Sequence, residues 1–214
     1  MRAASDAFQL MPQPPIKKLT LKQQQLKLRE DAILDAVNRL LATKGYDLMT
    51  MDEVAAEVGI AKASLYKHFE SKDALAASSM TRLLEDTLAH MHSQPEDLPP
   101  IDKLKAVVRW AVTTHLRQEM PLLPSTRSSI QHALVVHEPY TEKLSAVTEQ
   151  LGEWILAAQD NGSLSATLPG EVILYTIYAR SCDPVADFLR LGGAFTDDEI
   201  VEHLITTCFN GLRN

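Results

Sequence analysis

The sequence has no run of apolar residues near the ~18 needed to cross a membrane. Its N-terminus lacks a continuous apolar segment with a cleavage site, so neither a membrane span nor a secretory signal is expected. It holds only two cysteines, Cys182 and Cys208, too few for a disulfide framework. The expectation is a cytoplasmic protein with reduced thiols. Catalytic signatures are missing as well. No GxSxG, P-loop, HExxH, CxxC or Rossmann glycine pattern occurs. The seven histidines are scattered. His90 and His92, two apart, diverge by about 200° on a helix and cannot share a metal. No catalytic set, metal or cofactor is expected, and no segment has a useful β-period. What remains is an ordinary globular composition, 45% hydrophobic and 23% charged, with a helical period along most of its length.

Acidic charge dominates overall, with a formal net of −7, but it is unevenly placed. Residues 1–72 carry 11 Lys and Arg against 9 Asp and Glu, a net of +2, and the remainder carries −9. In the first 29 residues six basic side chains face one acid, Asp6. A nucleic-acid partner would therefore be met at the N-terminal end. Residues 1–26 read as a flexible basic arm, with Pro12, Pro14 and Pro15 and then Lys17, Lys18 and Lys22. The arm is either a solvated tail or a strand of phosphate contacts beside a main site.

From about Lys27 a helix emerges, its apolar face built of Ile33, Ala36, Val37, Leu40 and Leu41, ending near Gly45. Thr50 and Glu53 then form a capping box, and Gly59 terminates the short helix they open. A second short helix follows, with Leu65 and Phe69 inward and Ala63, Ser64 and Lys67 outward. That is a helix-turn-helix, whose second helix enters the DNA major groove.

The ordered features Gly45-Tyr46, Thr50, Val54-Ala55, Gly59-Ile60, Ser64-Leu65-Tyr66, His68-Phe69, Ser71-Lys72 and Ala74-Leu75 resemble the DNA-binding domain of the tetracycline-repressor (TetR) family. The resemblance covers about residues 29–75. It implies an all-α protein of about nine helices. A three-helix DNA-binding domain over 27–72 would precede a larger ligand-binding and dimerisation domain over 73–214. It implies that Thr50, Tyr66, His68 and Lys72 hold the DNA backbone. Lys62, Ala63 and Ser64 would approach base edges, and Lys67 would do either. One position departs from the pattern: Ala61 stands where members often carry Ser or Thr, so the usual N-cap hydroxyl is absent.

The body reads as about six helices. Ser71 caps the first, Pro139 opens the clearest, Pro184 breaks or kinks a long apolar one, and Thr196 with Glu199 caps the last. In the family the last two long helices, here about 169–191 and 196–212, pair with their copies. Ile173, Ile177, Phe188, Ile200 and Leu204 fit either that interface or an internal core. Trp110, His115, Arg127 and Trp154 are the candidates for an effector pocket. The reading is a ligand-responsive regulator, most simply a repressor. It would bind a palindromic operator as a homodimer, with double-stranded DNA and an unidentified small molecule as partners. The alternative is an all-α small-molecule-binding protein or enzyme whose helix-turn-helix is only structural.

Overall fold

Helix caps set the element boundaries. The computed structural model describes residues 20–120, 129–181 and 183–211, so Lys17, Lys18 and Arg127 lie outside the described residues. All regular structure among the described residues is α-helical. The helices are α1 (Leu21–Leu48), α2 (Met51–Val58), α3 (Lys62–His68), α4 (Lys72–His92) and α5 (Pro100–Leu116). They continue as α6 (Ile130–Val136), α7 (Glu138–Asp160), α8 (Gly170–Ser181), α9 (Pro184–Gly192) and α10 (Asp197–Asn210).

One difference from the sequence reading and one expected break have physical causes. The first helix begins at Leu21, so residues 21–26 of the expected arm are its opening turns. Thr20 and Gln23 make a full capping box there, with Gln23 N–H donating to Thr20 Oγ1 at 3.3 Å and Thr20 N–H to Gln23 Oε1 at 2.9 Å. The long apolar helix near the C-terminus is two helices, α8 and α9. Asp183 caps the second by accepting the Val185 N–H at 3.0 Å, and Pro184 sits in its first turn, where a missing N–H costs nothing. With that break the described residues form ten helical segments, in line with the nine or so expected.

The head, α1 to α3, is folded around Ile33, Val37, Leu41, Val54 and Leu65. Gly45, at φ 74°, kinks α1 so that Tyr46–Leu48 leave the helix line and lead into α2. The same buried cluster runs on without a gap through Leu75, Ala76 and Met80 of α4 into the body. Asn38 and Ser79 hydrogen-bond inside that junction, and Arg82 pairs with Asp35 at 2.5 Å. The body packs α4 against α7, α5 against α7 and α10, and α8 against α5 and α7. Tyr140, Val147, Leu151, Ile155 and Ala158 form the buried stripe of α7 expected from its spacing.

Packing decides between core and interface for the C-terminal stripe. Ile173, Ile177, Ile200 and Leu204 are buried within this chain, whereas Phe188 is 70% exposed. Val172, Tyr175 and Leu191 join Phe188 as large exposed apolar residues of α8 and α9, so the free apolar surface lies there and not on those four. Among the described residues no helix is long and apolar enough to cross a membrane.

Candidate nucleic-acid interface

The turn into α3 is built by Gly59. Its φ of 74° and ψ of 34° let Ile60 N–H reach back to Ala55 O at 2.9 Å, closing α2 in a Schellman-type turn. At the other end of α2 the capping box is complete: Glu53 N–H donates to Thr50 Oγ1 at 3.2 Å and Thr50 N–H to Glu53 Oε2 at 3.0 Å. Hydrogen bonds from Lys44 and Thr50 hold the Glu53 carboxyl below the usual glutamate range. Lys44 Nζ sits 2.5 Å from Glu53 Oε1, and Arg39 Nε lies 2.7 Å from Glu57 Oε1, so α1 is pinned along α2.

Only Leu65 of α3 is fully buried. Burying such a side chain contributes roughly 1.5–3 kcal/mol, a single anchor for a seven-residue helix. Ala61 occupies the N-cap in an extended conformation (φ −67°, ψ 140°) and makes no side-chain cap. Two tethers compensate. Lys62 Nζ donates to Asp52 Oδ2 of α2 at 2.7 Å, and His68 Nδ1 lies 3.3 Å from Glu30 Oε1 of α1. The helix is thus staked to a different neighbour at each end, an arrangement that its sequence period did not reveal.

These tethers sort the candidate residues. Lys62, Ala63, Tyr66 and Lys67 are exposed on one side of α3, Ser64 is half-buried at its edge, and Tyr66 is 46% exposed. Lys67 makes no ion pair among the described residues. Thr50 is exposed at the start of α2, although its hydroxyl is already committed to the cap. His68 is different: its side chain is only 7% exposed and is turned toward α1, away from the outward side of α3. Lys72 is half-buried. Its Nζ lies 4.3 Å above the Tyr46 ring and 3.4 Å from Asp47 O.

Lys72 belongs to a knot of contacts at the kink of α1. Tyr46 OH donates to Asp73, and burial together with that carboxylate pushes the phenol far above its ordinary pKa. Asp47 Oδ1 accepts from Ser129 Oγ, the residue preceding α6, at 2.5 Å. The helix that opens the head is therefore touched directly by the body at Asp47. The first nine residues of α1 stand clear of all packing. The stripe that buries Ile33, Ala36, Val37 and Leu40 continues backwards on the same face as Arg29, Leu26 and Lys22, all exposed. Counting threes and fours back from Ile33 would have found this face in the sequence.

The effector candidates do not converge. Trp110 lines a cleft outside the body core, stacked on His90 with ring centroids 5.4 Å apart and planes 16° from parallel. His115 is buried, with Nε2 3.1 Å from Asp187 Oδ2 of α9. Trp154 lies elsewhere on α7, with Lys103 Nζ 5.7 Å from its ring centroid. Trp110 and His115, five residues apart on α5, point about 140° apart.

Comparison with known proteins follows this division between head and body. Residues 33–78 match the family described as bacterial regulatory proteins, tetR family. Among curated relatives, the HTH-type transcriptional regulator YerO of Bacillus subtilis is 36% identical over 80 residues, 36% of this chain and 28% of that protein. IcaR of Staphylococcus aureus, a negative transcriptional regulator of a biofilm operon, is 45% identical over 51 residues, 24% of this chain and 27% of that protein. The matched segments thus span under a third of these relatives' length. Solved structures extend the likeness to the body. The fatty acid degradation regulator FadR of Bacillus halodurans covers 87% of this chain and 97% of its own, with a TM-score of 0.63 and 18% identity. AibR in complex with isovaleryl coenzyme A and operator DNA covers 85% and 98%, with a TM-score of 0.60 and 22% identity. Bacillus subtilis FadR in complex with stearoyl-CoA covers 86% and 99%, with a TM-score of 0.61 and 14% identity. At these identities the structural likeness speaks for fold alone. The head thus matches in sequence the family described as bacterial regulatory proteins, tetR family, over residues 33–78, and the body is similar to the solved regulators in fold.

Proposed function

We propose that this protein is a ligand-responsive transcriptional regulator, a repressor that binds a palindromic operator as a homodimer and lets go when a small molecule binds its body. The observation that carries the reading is the outward side of α3. A helix anchored by one leucine and staked at both ends presents small and basic side chains to solvent. Lys62, Ala63 and Ser64 meet base edges, while Tyr66, Lys67 and the exposed Thr50 meet phosphates. Base edges would compete with Asp52 for Lys62. His68 acts through position, by fixing the end of α3 against Glu30. Lys72 acts from the knot at Tyr46 and Asp47. On the overhanging face of α1, Arg29 and Lys22 reach backbone phosphates beside the main contact.

The division of labour is a DNA-binding head ending near Lys72 and a body that binds effector and partner copy. Two copies join through the apolar surface of α8 and α9 together with α10. Half-sites one helical turn apart, about 34 Å, or a multiple of it, suit two such heads. Release is a population shift: an effector lowers operator affinity only by its preference for the mis-spaced state. The Ser129–Asp47 contact and the α4 junction are the two routes by which the body biases the head. AibR and Bacillus subtilis FadR hold coenzyme A thioesters, which makes acyl-CoAs the first effectors to try.

Selection of bound sequences from a random DNA pool tests the reading. A palindromic motif bound two chains at a time is expected. Recovery of no motif, with retention on heparin no stronger than for an acidic control protein, would sink it.

A further inference from the structure

The outward side of α3 carries two lysines in different states. Lys67 makes no ion pair among the described residues. Lys62 is held: its Nζ lies 2.7 Å from Asp52 Oδ2, and that hydrogen bond raises the ammonium above the ordinary lysine pKa. The carboxylate is brought from a neighbour, because α3 contains no acid of its own. Of the three acids of α2, Glu53 is committed to the Thr50 cap and to Lys44, and Glu57 to Arg39 of α1. Asp52 is the one turned to α3. The two side chains are 47% and 71% exposed, so DNA arriving at α3 meets them together.

DNA offers this pair two kinds of acceptor. A phosphate is a full anion. Drawing Lys62 to it exchanges one oxyanion for another and leaves Asp52 unpaired beside the backbone, where like charges repel. That exchange gains little. A guanine edge is different, since O6 and N7 are neutral acceptors open to the major groove. An ammonium has three N–H donors, so Lys62 can give one to the base and another to Asp52. The base edge competes for donors and not for the charge. We propose that Asp52 is a specificity-determining residue, which holds Lys62 off the phosphates and reserves it for a guanine edge in each half-site. Asp52 acts through Lys62, as a positioning residue. Lys67, with no acid beside it, supplies the sequence-independent attraction at the same helix. The proposal rests on the operator-binding reading and names the base that the start of α3 selects.

The test titrates the full chain into a labelled mixed-sequence duplex over a series of salt concentrations, followed by fluorescence anisotropy. Wild type, Asp52→Asn, Lys62→Gln and the double variant are compared. Asp52→Glu is the conservative replacement, and Glu57→Gln controls for losing an acid of α2 that does not hold Lys62. Asp52→Asn should bind this DNA roughly threefold tighter or more and steepen the slope of log affinity against log salt by about 0.9 per chain, one added phosphate contact. Asp52→Glu should behave as wild type. In the Lys62→Gln background the Asp52→Asn change should leave the slope where it was, since no ammonium is there to free. A purely structural tether has the opposite sign, because a loosened α3 binds all DNA more weakly. In parallel selections from a random pool, wild type should enrich a guanine in each half-site that Asp52→Asn and Lys62→Gln no longer enrich. Four results overturn the assignment and leave DNA binding intact: an unchanged or shallower slope for Asp52→Asn, equal steepening without Lys62, equal steepening by Glu57→Gln, or a guanine preference that survives Lys62→Gln or is absent from the wild-type motif. Failure of wild type to bind the duplex at low salt, or to select any motif, overturns the operator-binding reading and the proposal with it.

Discussion

Among the described residues, two surfaces stand out from the packing, and they could hardly differ more. On α3, Lys62, Ala63, Tyr66 and Lys67 stand out into water with small or basic side chains. On α8 and α9, Val172, Tyr175, Phe188 and Leu191 do so with large apolar ones, Leu191 being 84% exposed. The first surface suits a partner that carries regular negative charge, and such binding weakens steeply with salt. The second suits a partner that removes apolar area from water, and such binding persists in salt. An incomplete helix face is therefore informative only together with its chemistry: under the proposed function one exposed face suits DNA and the other suits a second copy.

The contrast can be broken at its stronger half first. Replacing Phe188 and Leu191 together by Glu should abolish the dimer at micromolar concentration, because two charges would be buried in an apolar contact. Sedimentation at moderate and high salt reads this out, and a dimer that survives both substitutions would place the interface elsewhere. Next comes the head. Tyr66→Ala with Lys67→Ala should cost roughly 100-fold or more in operator affinity, given about 1.5–3 kcal/mol net for each charge-assisted phosphate contact. The dimer should be untouched. Unaltered binding in a titration at fixed salt would remove α3 from the interface. The smallest effect sharpens the comparison and does not break it. Ala61→Ser supplies the missing cap at a residue already in the extended conformation, and should stabilise the head by about 1 kcal/mol. In a chain of this size that is a rise of roughly 2–4 °C in Tm. No rise in a calorimetric scan would mean that a cap hydroxyl adds nothing beside the Lys62–Asp52 tether at the helix start.

Sequence and structure agree best where the signal is local. The capping boxes at Thr50 and Thr196 and the left-handed Gly59 act over three or four residues, and each is present as the spacing predicts. The box at Thr20 is equally local but stands next to prolines and lysines, whose arm-like composition masked it. The failures are long-range. Nothing near His68 tells that Glu30, 38 residues away, will meet it. Nothing near Trp110 tells that His90 will stack on it while His115 turns to Asp187. Pocket composition depends on which helices cross, and an apolar period fixes only which side of a helix faces inward. The same limit applied to Ile173 and Phe188, which share one stripe in the sequence and separate into core and surface because Asp183 and Pro184 restart the helix between them.

The kink at Gly45 also has a meaning for anyone who would recombine this protein with another regulator. Tyr46 and Asp47, just beyond it, are bound to Asp73, Lys72 and Ser129, and the α1–α4 seam continues through Asn38–Ser79 and Asp35–Arg82. A splice at residue 72 would cut through the middle of this joinery and leave each half holding broken ends. A hybrid that borrows the head should carry α4 with it at least past Arg82, and should match whatever residue the new body presents to Asp47. In modular terms the exchangeable part is the head with its hinge attached.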